Sequence, residues 1–197
     1  RGYNGKKMVA REIQETAGPA RQIVIEPDVR SIVADGKDLV VMNLTLLDEK
    51  GRFVPNANHL IDFEVKGPGR IIGTGNGDPS CHDPERVPWR KTFNGHCQVI
   101  IQSTGEAGDI QLVAKSEGLK TQSSPVVKAL QRYTVYVSPY GDDRNNGTHQ
   151  MPFRTIQAAK KWCQGISAGK VTIVLADGTH YLDSTLVITH DDSNDRK

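Results

Sequence analysis

Residues 67–79 read Gly67-Pro-Gly-Arg-Ile-Ile-Gly-Thr-Gly-Asn-Gly-Asp-Pro79, with five glycines and two prolines in thirteen positions. So dense a run of glycine reads as backbone that turns repeatedly through φ > 0 or lies close against another backbone, and therefore as a corner. In the stretch before it Ile61, Phe63 and Val65 alternate with Asp62 and Glu64, the period of a half-buried strand. After it Cys97, Val99 and Ile101 alternate with Gln98, Ile100 and Gln102. The expectation is two strands joined by one long irregular loop, with a short strand over 71–74. Gly67, Gly69, Gly73, Gly75, Asn76, Gly77, Asp78 and Pro79 are its structural residues. Gly73, Gly75 and Gly77 are spaced like the start of a dinucleotide fingerprint, but that motif needs a glycine three residues after its second, opening a helix. Asp78 and Pro79 stand there instead, which excludes the nucleotide reading.

Outward from this stretch, strands are expected at 22–27, 39–48, 60–66, 96–103, 108–116 and 120–127. Turn signals separate them at Ala34-Asp-Gly36, Asp48-Glu-Lys-Gly51, Gly105-Glu-Ala-Gly108 and Glu117-Gly118. About seven short strands with turns at this spacing predict a two-sheet antiparallel sandwich over 21–131. Residues 1–20 read as an extended linker with a short strand on Met8, Ala10 and Ile13.

The pattern changes after Leu130. Tyr133-Thr-Val-Tyr-Val137 is a strand, and 138–148 is a loop of turn formers. A helix follows from Phe153 to Cys163, with Ile156, Ala159 and Cys163 on one face and Thr155 as its cap. Val171–Leu175 and Thr185–Thr189 are further strands. A right-handed crossover makes 135–137 and 171–175 parallel. The helix should pack on both.

At 197 residues the chain holds one large or two small domains. A net charge of +2, with no basic or aromatic-interleaved run, argues against a nucleic-acid partner. No apolar segment approaches the length of a membrane span. The first residue is Arg, no signal peptide is visible, and the chain reads as part of a longer polypeptide. Cys81, Cys97 and Cys163 make no metal-binding pattern. Cys97 falls on an inward strand position and reads as a buried thiol, with a Cys81–Cys97 disulfide as the alternative. Asp142-Asp-Arg-Asn-Asn-Gly147 faintly resembles a calcium loop, but Arg144 breaks the alternation of oxygen ligands. No metal and no cofactor is expected.

Several motifs, in order, resemble one family. Ala34-Asp-Gly-Lys-Asp38, Asp48-Glu-Lys-Gly-Arg-Phe-Val-Pro-Asn-Ala57, Val65-Lys-Gly-Pro-Gly69, Gly75-Asn-Gly-Asp-Pro79, Phe93-Asn-Gly95 and Ala114-Lys-Ser-Glu-Gly-Leu119 are similar to the C-terminal immunoglobulin-like domain of bacterial family 2 glycoside hydrolases of the β-galactosidase-like branch. The resemblance covers about residues 1–130. It implies an immunoglobulin-like sandwich tethered by 1–20 to an upstream catalytic barrel of the same polypeptide, which carries the catalytic glutamates. It also implies a periplasmic, cell-surface or secreted bacterial location. Tyr136-Val-Ser-Pro-Tyr-Gly-Asp142, Asn146-Gly-Thr148, Pro152-Phe-Arg-Thr-Ile-Gln-Ala158 and Val174-Leu-Ala-Asp-Gly-Thr-His-Tyr181 resemble the opening of right-handed parallel β-helix proteins of the pectate-lyase-like group. That resemblance implies a truncated cap over 132–197, one coil at most, whose open edge invites self-association.

A retaining glycosidase places two carboxylates about 5–5.5 Å apart. The acidic residues clustered in sequence are Asp78, Asp83 and Glu85, beside His82, and in a glycine-rich loop they read as turn formers, so no catalytic residue is assigned. Trp89, next to Arg90 and Lys91, is either a platform for a sugar ring or a plug at the side of the sandwich. Tyr140 and His149 carry the same two readings. Three functions stay open: an accessory domain that positions a catalytic barrel, a carbohydrate-binding or adhesive module, and the start of a β-helix polysaccharide lyase or hydrolase with catalytic coils beyond Lys197.

Overall fold

The computed structural model describes residues 2–10, 15–166 and 169–188. The chain opens on an antiparallel hairpin, β1 (Gly2–Asn4) and β2 (Lys7–Ala10). The next strands are β3 (Gln22–Pro27), β4 (Ser31–Val33), β5 (Leu39–Leu47), β6 (Leu60–Lys66), β7 (Gly69–Gly75) and β8 (Trp89–Lys91). They continue with β9 (His96–Ser103), β10 (Gly108–Lys115), β11 (Gln122–Ser123) and β12 (Val127–Leu130). Last come β13 (Arg132–Val137), the helix α1 (Ile156–Gln164) and β14 (Lys170–Leu175).

Two sheets face each other across one core. The first runs β3-β5-β9-β7, all antiparallel. The second runs β4-β12-β10-β6-β8, with β11 beside β10 and a parallel pairing of β12 with β4. Alternation decides what is buried. In β5 the inward residues Val40, Met42, Leu44 and Leu46 are at most 1% exposed. They meet Cys97, Val99 and Ile101 of β9 and, from the other sheet, Ile61, Phe63, Ile110, Leu112, Val127 and Ala129. The mainly-β sandwich is therefore the fold that the hydrophobic period predicts.

The glycine run departs from its expected form. Gly69–Gly75 is a strand paired along β9, with an irregularity between Ile71 and Gly73. Gly67 and Gly69 serve close approach. Gly67, at φ 89°, lies so near the second sheet that a Cβ would sit 1.9 Å from the Asp109 carbonyl oxygen. A Cβ on Gly69 would meet Ile101 at 2.8 Å. Three further expectations shift. The stretch 120–127 holds only the two-residue β11 before β12 begins. The helix starts at Ile156, because Phe153 bridges to Val137 as extended chain. Residues 185–188 are not a strand, and Thr189 lies outside the described residues, as does Ile13 of the expected linker strand.

Past Leu130, β13 and β14 pair in parallel over their whole length. Thr155 caps α1, its hydroxyl accepting from the Ala158 amide at 3.1 Å. Ala159, Ile156 and Trp162 then pack on Val135, Val137, Phe153 and Val171 in a small separate core.

Candidate functional site

Three places carry the polar side chains that sequence reasoning singled out: the loop between β7 and β8, the entry to the sandwich, and the loop between β13 and α1.

The β7–β8 loop is organised by a residue the sequence did not flag. Arg90, only 2% exposed, points inward from β8 at a position where alternation expects an apolar side chain. Its guanidinium donates to the Thr74 carbonyl at 3.0 Å, the Thr74 hydroxyl at 3.0 Å and the Pro84 carbonyl at 2.6 Å. It also donates to the Cys81 sulfur at 3.4 Å, and Asp83 lies 3.9 Å away. Trp89, immediately before it, lies on the outer face of β8 opposite Asp62 and is half-buried; it is not part of the sandwich core. The signal for Arg90 was the Trp-Arg-Lys run itself, since a three-residue edge strand must point one member inward.

The acidic residues of this loop are occupied in shaping it. Asp78 accepts from the Ser80 amide and hydroxyl, and these hydrogen bonds hold its carboxyl below the ordinary range. Asp83 faces Arg90 and the Cys81 thiol. Among the described residues no group of three or more His, Cys, Asp or Glu side chains could hold a metal ion. Cys81 and Cys97 are not joined in a disulfide, which closes that alternative. Burial pushes the Cys97 thiol up to about 12, with Arg90 opposing the shift.

At the entry, Asp48 is 2% exposed and receives four donors. The Gly18 amide reaches one oxygen at 2.8 Å, as does Arg52 Nε at 2.7 Å. The Lys50 and Arg52 amides reach the other at 2.9 Å each. Arg52 also pairs with Glu15 at 2.7 Å. The Arg52 hydrogen bond first, and the Gly18 amide next, hold the Asp48 carboxyl far below the usual carboxylate range. Residues 15–18 are thereby fastened to the β5–β6 turn.

In the third place, Asp143 closes the loop. It accepts from the Arg154 and Thr155 amides and from the Thr155 hydroxyl. Tyr140 is 95% exposed, and His149 stacks edge-on against Tyr136 at 5.1 Å. The structure thus places Trp89 on the sandwich and Tyr140 and His149 on the β13–α1 loop. Among the described residues no helix is long and apolar enough to cross a membrane.

Comparison with known proteins places this geometry. Residues 23–124 match the family described as glycoside hydrolase family 2 C-terminal domain 5. The chain is 42% identical over 117 residues to the β-galactosidase BoGH2A of Bacteroides ovatus, covering 59% of this chain and 14% of that protein. It is 30% identical over 122 residues to a β-galactosidase of Thermoanaerobacter pseudethanolicus, covering 62% and 15%. A solved family 2 glycosyl hydrolase from Bacteroides cellulosilyticus superposes with a TM-score of 0.57 at 32% identity, over 66% of this chain and 16% of that one. The chain therefore spans about 15% of the length of the relatives it matches. The matched segment runs from β3 to the end of β11 and so takes in strands of both sheets, and by it the chain belongs to the glycoside hydrolase family 2 C-terminal domain 5 family.

Proposed function

We propose that this chain is a non-catalytic C-terminal region of a β-galactosidase-like glycoside hydrolase, an immunoglobulin-like accessory domain that packs on and positions a catalytic barrel of the same polypeptide during carbohydrate degradation. The Asp48 clamp carries this reading. It holds residues 15–18, just ahead of the family segment, through the Gly18 amide and the Arg52–Glu15 pair, while the Lys50 and Arg52 donors fix the Asp48 carboxylate within its own turn, and so sets the direction in which a preceding domain joins the sandwich. Glycosidase chemistry needs two carboxylates across a sugar-sized cleft, whereas Asp78 and Asp83 are engaged in the loop's own hydrogen bonds. A periplasmic, cell-surface or secreted location belongs to the same proposal. For the tail, we propose the first turn of a parallel β-helix, supported by the parallel β13–β14 pair with α1 between them.

The purified chain, assayed against aryl β-galactosides and a panel of glycans at high protein concentration, is expected to give no turnover. Turnover that disappears in Asp83→Asn or Glu85→Gln would overturn the accessory reading.

A further inference from the structure

The outer face of the first sheet carries a polar recess that neither the family match nor the clamp explains. The register sets Asn43 of β5 opposite Gln98 of β9, and Gln98 opposite Gly75 of β7. Because Met42, Leu44, Cys97 and Val99 point into the core, these three residues form one row on the outside. Gln98 Nε2 donates to Asn43 Oδ1 at 2.7 Å. That bond leaves the Asn43 amide nitrogen and the Gln98 amide oxygen, one donor and one acceptor side by side, without a protein partner among the described residues. Exchanging O and N in both amides leaves the same pairing outward, one donor and one acceptor, so the pattern does not depend on amide orientation.

The rest of the row is cleared of side chains. A Cβ on Gly75 or Gly77 would meet nothing within 4 Å. The result is a recess of about 220 Å³ lined by Asn43, Gly75, Asn76, Gly77, His96 and Gln98. It is smaller than the about 300–1,000 Å³ of drug-sized ligand sites, a scale that suits a single sugar ring. His96 lines it with its ring stacked at 4.6 Å on Phe53 and its Nδ1 3.3 Å from the Thr45 hydroxyl, two contacts that keep the imidazole in place. Asn76 is locked by the Lys91 carbonyl and the Asp78 amide and so forms a fixed wall. No Lys, Arg, Asp or Glu lines the recess, so its chemistry fits a neutral ligand.

We infer that this recess binds one ring of a neutral sugar, with the Asn43–Gln98 amide pair bridging two adjacent hydroxyls and the bare Gly75 backbone admitting the ring against the sheet. A donor and an acceptor held side by side complement a vicinal diol, in which each hydroxyl can both give and accept. The site is distinct from Trp89, Tyr140 and His149. It holds whether or not the domain also positions a catalytic barrel, which is tested by turnover.

The test is an amide NMR titration of the 197-residue chain with galactose, glucose, xylose and β-linked oligosaccharides of each, with galacturonic acid as a charged control. Millimolar neutral sugar is expected to shift the amides of Asn43, Gly75, Gly77, His96 and Gln98. Asn43→Ala and Gln98→Ala should each weaken binding about tenfold. Gly75→Val, which fills the space and removes no polar group, should abolish it while the spectrum stays folded. Absence of shifts with every neutral sugar, shifts centred on Trp89 or Tyr140, or undiminished binding in folded Gly75→Val would overturn the proposal.

Discussion

Arg90 grips Thr74 through three donor contacts, from Nη2 to the carbonyl and from both Nη2 and Nε to the hydroxyl, all within 3.2 Å. Thr74 is the last residue but one of β7 and Arg90 is the middle of β8, so this contact ties the edge of one sheet to the edge of the other across the loop between them. With Pro84 as third anchor, one buried cation supplies donors that the loop backbone would otherwise lack.

Arg90→Met should therefore destabilise the sandwich by about 2–4 kcal/mol, because it strands the buried Thr74 carbonyl and removes the anchor of the Pro84 carbonyl. Arg90→Lys should recover little of this, since an ammonium cannot reproduce the fork that reaches three oxygens. Urea denaturation of the three proteins measures it. Equal midpoints would show that the loop closes without the guanidinium.

Asp48 gives an acid-dependent prediction with a definite sign. Its carboxyl lies below its unfolded value, mainly through Arg52 and the Gly18 amide. A depressed carboxylate contributes fully above the unfolded value of about 3.9, and that contribution fades as pH falls below it. Melting temperatures from neutral pH down to about pH 3 should drop more steeply for the native chain than for Asp48→Asn, which has no charge to lose. Asp35, Glu64 and Asp78 are shifted the same way and are common to both proteins, so the difference isolates Asp48. Hydrogen exchange should also show the Gly18 amide losing protection in the variant.

The glycines of the 67–79 run should separate by position. Gly67→Ala drives a Cβ into the Asp109 carbonyl and holds a side chain at φ 89°, and should cost more than about 2 kcal/mol. Gly75 meets open space and has strand geometry, so Gly75→Val should stay within about 0.5 kcal/mol of the native chain. Thermal melts decide this, and equal losses at the two positions would mean that the run acts as a uniform corner after all.

These glycines mark where the sequence was legible and where it was not. Period-2 alternation in 39–47, 60–66 and 96–103 gave the sandwich, because burial on one face leaves its mark on every second residue. Composition misled at 69–75, since the run there is a strand in which Gly69 admits the Ile101 and Ile110 side chains, and one sequence cannot separate a turn from a close approach. Arg90 was overlooked because a buried charge looks like an exposed one until its partners, six to sixteen residues away, are folded against it. Asp48 was legible as a turn residue, while its hold on Gly18, thirty residues earlier, is a tertiary fact. The sugar recess needs the register of three strands, which residue order does not state.

The last expectation concerns how unequal the two parts of the chain are in stability. The sandwich buries a continuous core from both sheets. The tail buries Val135, Val137, Phe153 and Ala159, with Ile156, Trp162 and Val171 only partly covered. Parallel sheets are ordinarily covered on both faces, yet β14 leaves Ile173, Val174 and Leu175 exposed at 37%, 37% and 48%. A core this small contributes little against the entropy of ordering its residues, so local opening should cost far less here than in β5 or β9. Amides of β13, α1 and β14 should exchange before those of β3 to β10 in a dilute monomer, and limited proteolysis should cut between residues 138 and 188 first. Raising the concentration should protect β14 if its unpaired edge recruits a second copy. Protection of 133–188 equal to that of 22–130 in dilute solution would show instead that the strand–helix–strand layer is a self-sufficient domain.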